Sequence, residues 1–288
     1  MRKRIFLFLG MILCMALSAN SQEADRNAVK TVVFNNLACM PKDTKVSVKN
    51  VLGALADAVV NNQVTEDQSQ YLESVRASLL KGISQTRRIS ITDGSGMSEA
   101  DWYVDGQISN ISTTTKVEEY KDNKGKTHRQ TYYKAMVSVT LHVKDAKTNA
   151  IILSPAFNIS DIDVSWIETR EGALNNAFGY LASRVARYFN KQLPLYANII
   201  EGARDKKDKQ KEVYIDLGSS TRGISRDIHF GVYTTKTIAG REARKQIGKI
   251  KITDVQGDDI SLCKVQSGGK DIKAAIDGGE TLLVVSVD

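Results

Sequence analysis

Few residues of this chain could do chemistry, and their spacing argues against it. His128, His142 and His229 lie in or beside segments that read as strands and share no ligand spacing. No Cys-x-x-Cys occurs either, so no zinc site is expected. "DGSG" at 93–96 offers glycines for a phosphate loop, but no helix opening with Lys and Ser or Thr follows it. "GSS" at 218–220 and "SGG" at 267–269 lack the strand–elbow–helix setting of a nucleophilic serine and read as hairpin turns. Two carboxylate pairs stand out, Asp161 with Asp163 and Asp258 with Asp259. The first has the period-two spacing that a calcium site or an acid–base pair would use. With no third ligand converging in sequence, it reads as a sheet terminus. Trp102 and Trp166 read as core or interface anchors rather than sugar platforms. The expectation is therefore no catalytic residue, no cofactor and no metal.

The elements that would position any site are clearer. In "TYYKAMVSVTLHVKD", residues 131–145, the odd positions from Ala135 to Val143 are apolar and the even ones mostly polar, the period of a half-buried strand. Its polar face carries Lys134, Thr140, His142 and Lys144, which are candidates to meet a partner. The turn before it, at 121–126, has Asn123 and Gly125 for the bend. Further strands are expected at 30–37, at "RRISITD", at 101–113 and over 149–162, where Pro155 predicts an edge strand or a bulge. Helices are expected over 46–60, over 66–84 with Thr65 as N-cap and Gln68 three residues on, and over 169–192, closed by Pro194. One apolar stripe per helix and one apolar face per strand predict an α+β domain over 22–203, with helices packed on one face of a mostly antiparallel sheet. A charged linker is expected at 204–211, "RDKKDKQK". Beyond it, five short strands over 212–288 predict a small all-β barrel-like domain.

The ends and the charge bound the function. Arg2, Lys3 and Arg4 precede the apolar run 5–17 and the small polar stretch "SANSQ", the layout of a secretory signal peptide over 1–21, cleaved between Ser21 and Gln22. Lipidation at Cys14 is the rival reading, and Leu13 makes a poor lipobox for it; an uncleaved anchor is the other. No later segment is long and apolar enough for a transmembrane helix. The net charge of +7 falls to +4 without the three cations of the signal, and 204–211 supplies +3 of that. The basic excess is thus a local run. Lys206, Lys207, Lys209 and Lys211 are candidates for an electrostatic contact, including a peripheral one with a membrane. A distributed phosphate-tracking surface with stacking aromatics is not present, so no nucleic-acid partner is expected. Cys39 and Cys263, in separate modules, read as thiols rather than a bridge.

Two stretches carry a family resemblance. "ADWYVDGQI" (100–108) and "VSVTLHVKDAKTNAIILS" (137–154) resemble a strand and the following hairpin of the curli secretion channel (CsgG) family, whose relatives include the N-terminal domain of TolB. "VYIDLGS", "IGKIKITDVQGDDISLCKV" and "AAIDGGETLLV" are similar to the C-terminal domain of the flagellar assembly protein FlgT. The resemblance implies an exported protein at the periplasm or outer-membrane periphery of a Gram-negative bacterium. It would be non-enzymatic, an assembly or accessory factor binding envelope proteins and able to self-associate. An oligomeric outer-membrane secretion channel subunit is the alternative, and an envelope hydrolase or carbohydrate-binding protein using Asp161, Asp163 and Trp166 is the second.

Overall fold

The structure, a computed structural model, describes residues 26–40, 63–92, 100–238 and 241–287. The signal peptide with Cys14, Ser21 and Gln22, the helix expected over 46–60 and the turn at 93–96 lie outside the described residues. The chain divides into two units, Lys30–Phe189 and Asn190–Asp288, the latter joined by Arg26–Val29.

In chain order, the first unit contains β1 (Lys30–Cys39), β2 (Gln63–Thr65), a 3₁₀ turn (Gln68–Tyr71), α1 (Leu72–Ser84), β3 (Ile89–Thr92), β4 (Trp102–Lys121), β5 (Thr127–Asp145), β6 (Ile151–Leu153), β7 (Ala156–Ile159) and α2 (Arg170–Gln192). The sheet order is β3-β1-β4-β5-β6, with β2 added on β4 and β7 on β5. β1 runs parallel to β3 and β4, and the other pairs are antiparallel. The content is α+β.

The alternation in β5 holds: Ala135, Val137, Val139, Leu141 and Val143 are buried and the residues between them are half-buried. On β4 the buried set switches from Val104 and Ile108 to Ile111 and Thr113. A bulge at Ser109 causes the switch, because one extra residue re-aims every side chain beyond it. The chain breaks at Ser154–Pro155, between β6 and β7, as a proline without a donor requires.

α1 and α2 cover the same face. Arg76 of α1 lies over the Phe34 ring at 5.0 Å, and Tyr188 of α2 meets Phe157 edge-on at 5.6 Å. Phe157 pairs with Val139, which is on the buried face of β5. The helices touch where Gly82 faces α2. A Cβ there would stand 2.5 Å from the Ala182 carbonyl oxygen and 2.8 Å from the Val185 Cβ. The start of α1 differs from expectation. Thr65 belongs to β2, where it pairs with Ser112, so it caps nothing. Asp67 caps the 3₁₀ turn instead, its Oδ1 accepting from the Ser69 amide at 3.2 Å, and Gln68 donates to the Ser109 carbonyl.

The second unit corrects two expectations. Residues 204–211 are not a linker. They form the end of β8 (Tyr196–Lys206), a turn at Lys207–Asp208, and the start of β9 (Lys209–Ile215). β10 (His229–Ile238), β11 (Arg241–Val255), β12 (Ser261–Ser267), α3 (Gly269–Asp277) and β13 (Leu282–Val287) follow, and the strands close a barrel in the order β10-β11-β12-β9-β8-β13. β8 is thus a sixth wall strand contributed from ahead of residue 204. Nor is the unit all-β, since α3 lays Ile272 and Ala275 into the core beside Phe230, Ile250, Ile252, Cys263 and Val284. Burial pushes the Cys263 thiol up to about 12. Both Cys263 and Cys39, which is half-buried, are free thiols.

Candidate functional site

The four candidates on the polar face of β5 share that face, but most are already engaged within the chain. Lys144 donates to Asp105 Oδ2 on β4 at 2.7 Å. His142 Nδ1 and the Ser154 hydroxyl lie 2.9 Å apart. Lys134 donates to the Asp161 carbonyl at 2.8 Å, with its ammonium 5.1 Å from the centre of the Trp166 ring. Thr140 is flanked by Gln107 and Ala156. All four are half-buried, so this stretch of sheet is less available than its composition suggests. In the other unit, Lys206, Lys207, Lys209 and Lys211 are exposed on the β8–β9 hairpin. Lys209 and Lys211 border a shallow hollow at the start of α3, together with Gly268 and Lys270.

The residues weighed for chemistry are dispersed. Asp163 accepts from both the amide and the hydroxyl of Ser160, which hold its carboxyl below the usual range, and it pairs with Arg184. Its neighbour Asp161 is exposed. His128 pairs with Asp122 and His229 with Gln266. Ser219 and Ser220 bond to Asp258 and Asp259, tying one barrel loop to another. Among the described residues, no three His, Cys, Asp or Glu side chains gather as metal ligands.

The feature that sequence reasoning missed is what β4 and β5 do beyond the sheet. Their pairing continues without interruption to Lys121 and Thr127. On the outer edge of β4, strand pairing among the described residues ends at Thr114, opposite Gln63 of β2. On the outer edge of β5 it ends at Tyr133, whose amide and carbonyl bond reciprocally with Ile167 at 2.7 and 2.9 Å. Residues 116–132 therefore leave the sheet as a two-stranded arm, whose outer edges have no strand partner among the described residues. Six residues from Lys116 to Lys121 give the arm a reach of about 20 Å.

The arm has its own internal order. At its tip Asp122 Oδ1 accepts from the amides of Lys124 and Lys126, both at 2.9 Å. Asp122 Oδ2 meets His128 Nε2 at 2.9 Å, and His128 stacks on Tyr120 at 5.3 Å. These contacts, with His128 the largest, hold the Asp122 carboxyl below the usual range. Gly125 turns the chain with φ +77°. Arg129 pairs with Glu119, and Lys116 with Glu118. Val117 and Tyr120 are nonetheless 56% and 55% exposed.

At the foot of the arm lies the segment 160–171. Ile167 of this segment is bridged to β5, and Trp166 lies beneath Lys134 and Lys116. Ile162 is 88% exposed and Trp166 38%. The foot is anchored by Arg170, which pairs with the almost fully buried carboxylate of Glu66; Thr113 donates to the same carboxylate at 2.6 Å. Residues 104 positions apart in sequence leave no local signal of this contact.

No protein-family model matches the chain, and no curated protein is similar to it in sequence. Solved structures that align with it include a PelC dodecamer of Paraburkholderia phytofirmans, at 10% identity and TM-score 0.28 over 55% of this chain and 90% of that one. A Xanthomonas campestris protein of the DUF330 family aligns at 9% identity and TM-score 0.32, over 58% and 84%. A Helicobacter pylori homologue of a neuraminyllactose-binding hemagglutinin aligns at 14% and 0.29, over 58% and 83%. Likenesses at these scores assign neither a family nor an activity.

Proposed function

We propose that this is an exported, non-enzymatic assembly or accessory protein of the bacterial envelope, acting by protein–protein contacts, its own copies among the partners. The observation that carries the reading is the arm of residues 116–132. A two-stranded ribbon with open edges is marginal on its own in water, and exposed edges invite pairing. This arm also presents Val117 and Tyr120 to solvent. Such an element is suited to engage a neighbouring polypeptide. The leader-like N-terminus and the resemblance to the curli-channel and FlgT domains support the envelope setting.

The arm does not suit a lipid-facing strand, which needs roughly ten residues with one apolar face. One face of the arm reads Val117, Glu119, Lys121 with Arg129 and Thr131 opposite. The other reads Lys116, Glu118, Tyr120 with His128, Gln130 and Tyr132 opposite.

The test is crosslinking in intact cells. A photoreactive residue in place of Tyr120 is expected to give adducts with protein, identified by mass spectrometry, and one in place of Ile252 in the barrel core is not. An absence of protein adducts from Val117 and Tyr120 alike would sink the reading.

A further inference from the structure

The arm and its foot carry opposite charges that one chain cannot bring together. At the tip, Lys121, Lys124 and Lys126 are exposed and form no ion pair among the described residues. At the foot, Asp161, Glu168 and Glu171 are exposed and likewise form none. The arm from 116 to 132 has five cations against three anions, and the foot from 160 to 171 has four anions against one cation. Lys116, at the base of the arm, reaches Trp166. The tip lysines stand about 15–20 Å further out along the strands, beyond the reach of a lysine side chain to its own foot.

Resting on the reading above, we infer that the tip of one copy docks on the foot of the next copy, Lys121, Lys124 and Lys126 facing Asp161, Glu168 and Glu171. Tyr120 of the arm and Ile162 and Trp166 of the foot supply the apolar contact. The two patches differ, so the contact is head-to-tail and a pair of copies keeps one free arm and one free foot between them. Repetition gives a ring where the rotation closes and a filament where it does not. An anionic membrane would satisfy the tip alone. A second copy accounts for the tip, the foot and the exposed Ile162 and Trp166 together.

The test uses the full chain as its host makes it, in sedimentation equilibrium. One variant reverses the tip (Lys121→Glu, Lys124→Glu, Lys126→Glu) and another the foot (Asp161→Lys, Glu168→Lys, Glu171→Lys). All six side chains are exposed, and circular dichroism checks that each variant is folded. The wild type is expected to self-associate, and to do so less as salt rises from about 0.05 M to about 0.5 M. Each variant alone should associate roughly tenfold more weakly or worse, since three attractive pairs become repulsive. A mixture of the two variants should recover association to within about threefold, because both of its contacts are again complementary. Four results overturn the inference: a monomeric wild type; association that neither reversal weakens; a mixture that does not recover; or a monomer whose tip lysines instead bind phosphatidylglycerol vesicles. If Tyr120 crosslinks to a different protein in cells while the chain is monomeric, the function proposed above stands and this contact falls.

Discussion

Asp122 organises the arm tip with one carboxylate, accepting two backbone amides and meeting His128. Because its folded pKa is depressed, the ordering it provides is complete above the unfolded Asp value of about 3.9 and is lost as pH falls through the lower folded value. The amide resonances of Lys124 and Lys126 should hold steady down to about pH 5 and shift below about pH 4. In Asp122→Asn that acid transition should be missing. A second single-residue effect concerns Arg170. Arg170→Ala leaves the buried carboxylate of Glu66 with the Thr113 hydroxyl alone among the described residues, which should cost about 1–3 kcal/mol in a denaturant melt. Adding Glu66→Gln should return part of that loss, because the neutral amide needs no counter-charge.

At the scale of elements, legibility followed the contrast between faces. β5 and α2 were readable because each has one apolar side that meets the core. The arm reads instead as polar sequence that does not continue a strand. Its threonines, tyrosines and valine favour strands, but both of its faces are wet, so the period-two contrast vanishes although the ladder persists. α3 is only nine residues long and begins after a glycine at φ +74°, so in sequence it merges with the turns around it. The contact of α1 with α2 was invisible as well, since a glycine gives no sign of what it touches. Gly82→Ala forces a methyl against the Ala182 carbonyl and Val185, and should cost about 1–3 kcal/mol by thermal or urea unfolding. The same substitution at Gly125, where nothing lies within 4 Å, tests only the left-handed turn, and its smaller cost should appear in arm order rather than global stability.

On the scale of the whole molecule, the α+β content and a barrel-like second module were foreseeable, while the division between them was not. The charges of "RDKKDKQK" look alike whether they decorate a tether or the exposed turn of a hairpin. What distinguishes the two is Gln210, buried among charged neighbours and donating to the Arg204 and Glu212 carbonyls, and that pairing has no sequence signature. β8 was overlooked for a related reason: its outer half, from Glu201 to Lys206, is exposed and charged. The candidate site suffered most, because the arm, its foot and the Glu66–Arg170 anchor are assembled from segments distant in the chain. That β8 and β9 are adjacent staves has a practical corollary for limited proteolysis. A cut at the exposed Lys207 should yield a nicked protein whose two fragments co-elute and separate only in denaturant, since β8 remains laced to β9 and β13. Severing at that spot would not liberate the C-terminal portion as a free-standing piece.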